Sequence, residues 1–145
     1  MNPIYRGKST LENLDRRVFQ NDNGTNPVGE TQPKTEKTPL SYFNSGIVKY
    51  KSRDYEGAIE DFDKAIKLNP EISQIHSARG LCNCSMGNLE EAKKDYTRAI
   101  ELESSNNQKN IYYLARAAVN VRLNLIDEAD ADYQNADKLK QEDSF

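Results

Sequence analysis

The chain has 145 residues, 36% hydrophobic and 30% charged, with a net charge of −3, which suits one soluble domain with a modest core. No stretch approaches the roughly 18 consecutive apolar residues of a membrane span. The opening "MNPIYRGKSTLENLDRRV" also lacks the apolar run of a secretion signal, so the expectation is a cytoplasmic protein with no membrane partner.

Residues 1–39 read as a flexible arm. Within them "STLENLDRRVF" carries Ser9 and Glu12 in capping-box spacing, followed by Leu11, Leu14 and Val18 on one face, which predicts a short amphipathic helix at about 10–19. The following "QNDNGTNPVGETQPKTEKTP" has almost no large apolar residue, three prolines and two glycines, as a linker would. About twenty such residues reach roughly 25 Å and hold a tethered helix at near-millimolar effective concentration. The arm could therefore fill a groove in its own or a neighbouring subunit.

From residue 40 the pattern becomes helical. Ala58, Phe62, Ala65 and Leu68 are spaced four, three and three apart, on one face of a helix. Helix signals pair about 40–52 with 55–69, 73–86 with 89–102, and 108–123 with 126–141, and residues 142–145 form a short tail. The pairs repeat. A shift of 34 lays Gly46 on Gly80, Glu56 on Glu90, Ala58 on Ala92, Asp61 on Asp95, Ala65 on Ala99, Ile66 on Ile100, Leu68 on Leu102 and Phe62 on Tyr96. A shift of 37 lays Ala92 on Ala129, Tyr96 on Tyr133, Ala99 on Ala136 and Leu102 on Leu139, which assigns the three extra residues to the connection "SSNNQKN". Small residues at Gly46, Gly80 and Ala117 face Ala58, Ala92 and Ala129, so paired helices can approach closely, and the aromatic fills space toward the next pair.

Little in the chain points to chemistry. One histidine, His76, and two cysteines diverging by about 200° on one helix do not make a triad or a metal site, so no metal, cofactor or enzymatic activity is expected. Cys82 reads as a small buried hydrophobe, Cys84 as facing a groove. The acidic runs "EGAIEDFD" and "DEADADYQNAD" lack the glycine and terminal glutamate of a calcium loop and read as solvated helix faces. No phosphate loop is present, and residues 41–145 carry fourteen basic against eighteen acidic groups, which argues against nucleic acid as a partner.

The 34-residue period, with Gly or Ala in the first helix and Ala, an aromatic and Ala in the second, resembles the tetratricopeptide repeat family. The resemblance covers about 40–70, 73–104 and 108–141. It implies an all-α, right-handed αα superhelix of three helix pairs, acting as a non-catalytic adaptor or scaffold that binds a protein or peptide along its concave face.

Carried over by position, that face takes Leu40, Phe43, Ile47, Tyr50 and Lys51 from the first repeat. The second supplies Gln74, Ser77, Leu81, Cys84 and Ser85, and the third Ile111, Leu114, Ala118, Val121 and Arg122. One subclass of the family holds chaperone-tail carboxylates with Lys, Asn and Arg at sites that here are Phe43, Ile47, Ala78, Ile111 and Ala115. None matches, so the expected ligand is an apolar peptide or amphipathic helix rather than a chaperone tail.

The segment "IYYLARAAVNVRLNLI" is apolar nearly all round and must be covered on both faces or expose a patch. The last helix, with the narrow stripe Ile126, Ala129, Tyr133, Ala136 and Leu139, reads as a cap that ends the solenoid in solvent, giving a monomer or weak homo-oligomer.

Overall fold

A computed structural model describes residues 36–144; the candidate helix at about 10–19 and its linker lie outside them. The described residues form six helices and no strand: α1 Pro39–Lys51, α2 Tyr55–Leu68, α3 Ser73–Met86, α4 Leu89–Leu102, α5 Asn106–Arg122 and α6 Ile126–Glu142. They pair as α1/α2, α3/α4 and α5/α6, each pair stacking on the next into a right-handed superhelix. The first helices make one layer, the second helices the other.

Local chemistry sets the helix ends. Thr38 accepts from Ser41 N–H at 3.1 Å and Pro39 opens α1, while Asp54 accepts from Gly57 N–H at 3.0 Å at the start of α2. The turn inside each pair uses one left-handed residue at equivalent positions, Arg53 (φ 63°), Gly87 (φ 80°) and Asn124 (φ 60°). The next N–H then bonds back to the first helix: Asp54 to Lys49 O at 2.9 Å, Asn88 to Asn83 O at 2.8 Å and Leu125 to Asn120 O at 2.8 Å. Three different residues thus build one turn.

Small residues decide how closely paired helices approach. A Cβ on Gly46 would stand 2.5 Å from the Phe62 ring, so glycine there leaves room for the ring close against α1. Ala58, Phe62, Ala65, Ile75 and Cys82 form one buried cluster, and Ala92, Tyr96 and Val119 the next. Each cluster contains an aromatic from a second helix and a residue from the following first helix. Stacking, not any single pair, closes the core.

Two expectations change. The extra residues before the third pair do not stay in the loop: Ser105 starts α5 at Asn106, and this helix runs 17 residues against 14 for α3. "NNQKN" contains no glycine or proline to stop it, so the insertion becomes another turn of helix. At the end of the described solenoid the stripe of α6 is partly open, with Ala129 and Ala136 buried but Ile126 50% and Tyr133 42% exposed. Finally, the acidic runs are not solvated throughout. Asp61 and Asp132 within them are buried, as is Asp95 at the equivalent place in the second repeat.

Candidate functional site

The buried carboxylates account for much of the polar side of the first helices. Asp61 accepts from Ser45 Oγ at 2.6 Å and pairs with Lys49 Nζ at 2.8 Å. Asp95 takes a forked pair of bonds from Arg79 (Nε 3.1 Å, Nη2 2.7 Å) and one from Asn83 Nδ2 at 3.1 Å. Asp132 repeats the arrangement with Arg116 (Nε 2.9 Å, Nη2 2.6 Å) and Asn120 Nδ2 at 3.1 Å. Burial alone would raise the pKa of Asp61, but the bonds from Lys49 and Ser45 outweigh it and hold the carboxyl below its ordinary 3.8. These groups are structural: each is buried and bonded across the two helices of its pair.

The exposed face is the outer surface of α1, α3 and α5. Arg122 Nη1 donates to Cys84 O at 3.2 Å, which joins the C-terminal ends of α3 and α5. Burial pushes up the Tyr96 hydroxyl, and the Cys84 thiol is raised by the same cause. A raised thiol at pH 7 is a small apolar group rather than a nucleophile.

The sequence-derived site residues divide by exposure. On α5, Ile111 is 55%, Leu114 37% and Val121 47% exposed, and Ala118 and Arg122 are exposed with them; on α3, Leu81 is 43% exposed with Gln74 beside solvent. Leu40 and Lys51 are exposed at the two ends of α1. Phe43, Ile47, Tyr50 and Cys84 are half-buried: Phe43 leans on Phe62 with ring centroids 5.9 Å apart, and Tyr50 on Tyr55 at 5.5 Å. Phe43, Ile47 and Tyr50 pack against the first buried cluster and Cys84 against the second, while α5 carries three exposed apolar side chains. The all-round apolar character of α5 also finds its cause. Tyr112, Ala117 and Val119 are buried, while Ile111, Leu114, Ala118 and Val121 remain open.

Among the described residues no three His, Cys, Asp or Glu side chains gather as a metal site would require, and no helix is long and apolar enough to cross a membrane. The opposite layer carries an open depression of about 390 Å³ lined by Glu90, Lys93, Lys94, Thr97, Arg98 and Glu101. Its cations are all paired, Lys93 with Glu128, Lys94 with Glu91 and Arg98 with Glu101 and Glu71. One feature of the inner layer escaped a count over the whole domain: α1, α3 and α5 contain no Asp or Glu at all. Sorting the charges helix by helix reveals it.

Residues 39–72 and 73–106 each match the tetratricopeptide repeat family. Serine/threonine-protein phosphatase 5 of Homo sapiens is 35% identical over 94 residues, which is 65% of this chain and 18% of that protein. The chain thus spans less than a fifth of that relative. Among solved structures, the second TPR of Spaghetti (RPAP3) bound to the HSP90 peptide SRMEEVD has a TM-score of 0.64 at 26% identity, covering 70% of this chain and 91% of that one. The second TPR domain of the human RPAP3 protein in complex with the HSP70 peptide SGPTIEEVD has a TM-score of 0.65 at 25% identity, covering 71% and 83%.

Proposed function

The chain belongs to the tetratricopeptide repeat family, and from that premise we propose that it is a non-catalytic protein–protein interaction module whose groove, lined by α1, α3 and α5, takes an apolar segment of a partner protein. The observation that carries the reading is the exposed apolar stripe of Ile111, Leu114 and Val121 on α5, with Leu81 exposed on α3. A helix that buries Tyr112 and Val119 on one side has no packing reason to keep these side chains on the other.

Both solved neighbours named above are complexes with peptides ending in EEVD, and this supports a peptide as the class of ligand. The chemistry differs here. A terminal carboxylate needs cations or amides, whereas Phe43, Ile47, Ala78, Ile111 and Ala115 stand at the sites that would supply them. Affinity in this groove comes from burying apolar area.

Capture of partner proteins by wild type and Leu114→Asp, with the bound proteins identified, tests the reading. Leu114 is 37% exposed, so aspartate leaves the helical circular dichroism unchanged and removes the captured set. An identical set on both proteins would rule the groove out. The heptapeptide SRMEEVD, titrated alongside, is expected not to bind.

A further inference from the structure

The net charge of −3 conceals a division between the two layers. α1, α3 and α5 have no carboxylate and six cations, Lys49, Lys51, Arg79, Lys109, Arg116 and Arg122, whereas α2, α4 and α6 carry fourteen Asp and Glu. Three of the six are consumed inside: Lys49, Arg79 and Arg116 hold Asp61, Asp95 and Asp132. Lys109 sits at the opposite end of α5, where it acts on Glu103. Lys51 and Arg122 are left exposed and without an ion pair among the described residues. They are the last residues of α1 and α5, so both stand at the C-terminal end of the first-helix layer, where Arg122 also reaches Cys84 O.

The apolar lane has a direction as well. Ile111, Leu114, Ala118 and Val121 are spaced three, four and three apart, one stripe running about 15 Å along α5. On α3 the face carries Gln74 and Ser77 at the far end and Leu81, Cys84 and Ser85 toward the end where Arg122 stands. The track therefore lies along a helix axis and ends beside Arg122. A chain crossing the three helices in extended form would not follow it.

Resting on the groove reading above, we propose that the partner segment is an amphipathic helix of about three turns laid along α5, with apolar side chains at i, i+3, i+7 and i+10 and carboxylates at the end that meets Arg122 and Lys51. An inner layer with no carboxylate offers those groups no competing repulsion. A nucleic acid would need a row of cations along its path, and this face has two, both at one end.

The test uses the full chain and fluorescein-labelled synthetic helices of about 14 residues with leucine at positions 1, 4, 8 and 11. One ends in two glutamates, its twin in two lysines, and a third is a scramble of the first. Fluorescence anisotropy is expected to give the acid-ended helix about three- to tenfold tighter binding than its twin, as two exposed ion pairs allow. The scramble should bind weakly, and the Lys51→Glu/Arg122→Glu double variant should invert the preference. Equal affinity for the twins, or an unchanged preference in the double variant, overturns the proposal. So would tighter binding of an oligothymidylate, of SRMEEVD, or of a peptide of residues 8–20 of this chain, each of which would give the face to another occupant. The two readings fail separately. If Leu114→Asp abolishes binding while the twins bind equally, only the charged end is wrong; if Leu114→Asp binds both twins as wild type does, the groove itself is wrong.

Discussion

A carboxylate sealed between two helices has lost its water and keeps its charge only because its partners hold it. For Asp61 those partners are Lys49 and Ser45, and their bonds outweigh burial to hold the folded pKa below the ordinary 3.8. A folded pKa below the unfolded one means that the unfolded chain takes up the proton first. The contribution is complete above about pH 4 and is lost as pH falls through the folded value. Asp61→Asn should therefore be less stable than wild type to urea at pH 7, and the gap should narrow by pH 3. An equal gap at both pH values would show that the charge of Asp61 does not support the fold. Glu103, held low by Ser73 and the Ser105 N–H, adds acid sensitivity of the same sign in both proteins. Phe62 and the alanines around it were legible because size and spacing alone place them. Asp61 and Asp132 were not, since an aspartate in an acidic run looks solvated and its partner lies 12 or 16 residues upstream. The signal was nonetheless present at the shift of 37, which lays Arg79 on Arg116, Asn83 on Asn120 and Asp95 on Asp132.

Between helices, the same arginines tie one pair to the next. Arg79 reaches Asp95 in its own pair and, with Nη1 at 2.7 Å, Asp63 on the preceding second helix. Arg116 reaches Asp132 and, with Nη1 at 2.9 Å, Thr97. Thr97 lies where Asp63 lies, 34 residues on, so the second junction has a neutral hydroxyl where the first has a carboxylate. Thr97→Asp should convert that hydrogen bond into an ion pair. The gain is about 0.5 kcal/mol, because Asp63 is itself 54% exposed and exposed pairs are weak. A raised urea midpoint for Thr97→Asp and none for Thr97→Asn is the expected result, and equal midpoints would mean that Arg116 gains nothing from the charge. Helix pairing was readable from Gly46, Gly80 and the alanines, but these junctions were not. They depend on where a long side chain ends, which repeat spacing does not fix. The extra turn of α5 was missed for a related reason: "SSNNQKN" is polar enough for a loop, yet it holds no glycine or proline to keep α5 from starting at Asn106.

In a solenoid each repeat is buried by its neighbours, so the same position has different burial at the ends and in the middle. The aromatic of the second helix is 0% exposed at Phe62, 5% at Tyr96 and 42% at Tyr133. Sequence changes at the ends offset part of this loss. Ser41 stands where Ile75 and Tyr112 are buried, and Asp137 where Ile66 and Ile100 pack, so both end faces are made polar. Val48 and Ile126 keep their apolar side chains, at 65% and 50% exposure, although Cys82 and Val119, the equivalents of Val48, are buried. Burial, rather than residue type, should then set the cost of truncation. Tyr96→Ala empties the space between α4 and α5 and should cost about 3–5 kcal/mol, whereas Tyr133→Ala, with two-fifths of its surface already in water, should cost about 1 kcal/mol or less. Chemical unfolding of the two variants measures the difference directly. Comparable losses would mean that the α6 end is covered in solution, and concentration dependence of the Tyr133→Ala loss would then identify a second copy of the chain as the cover.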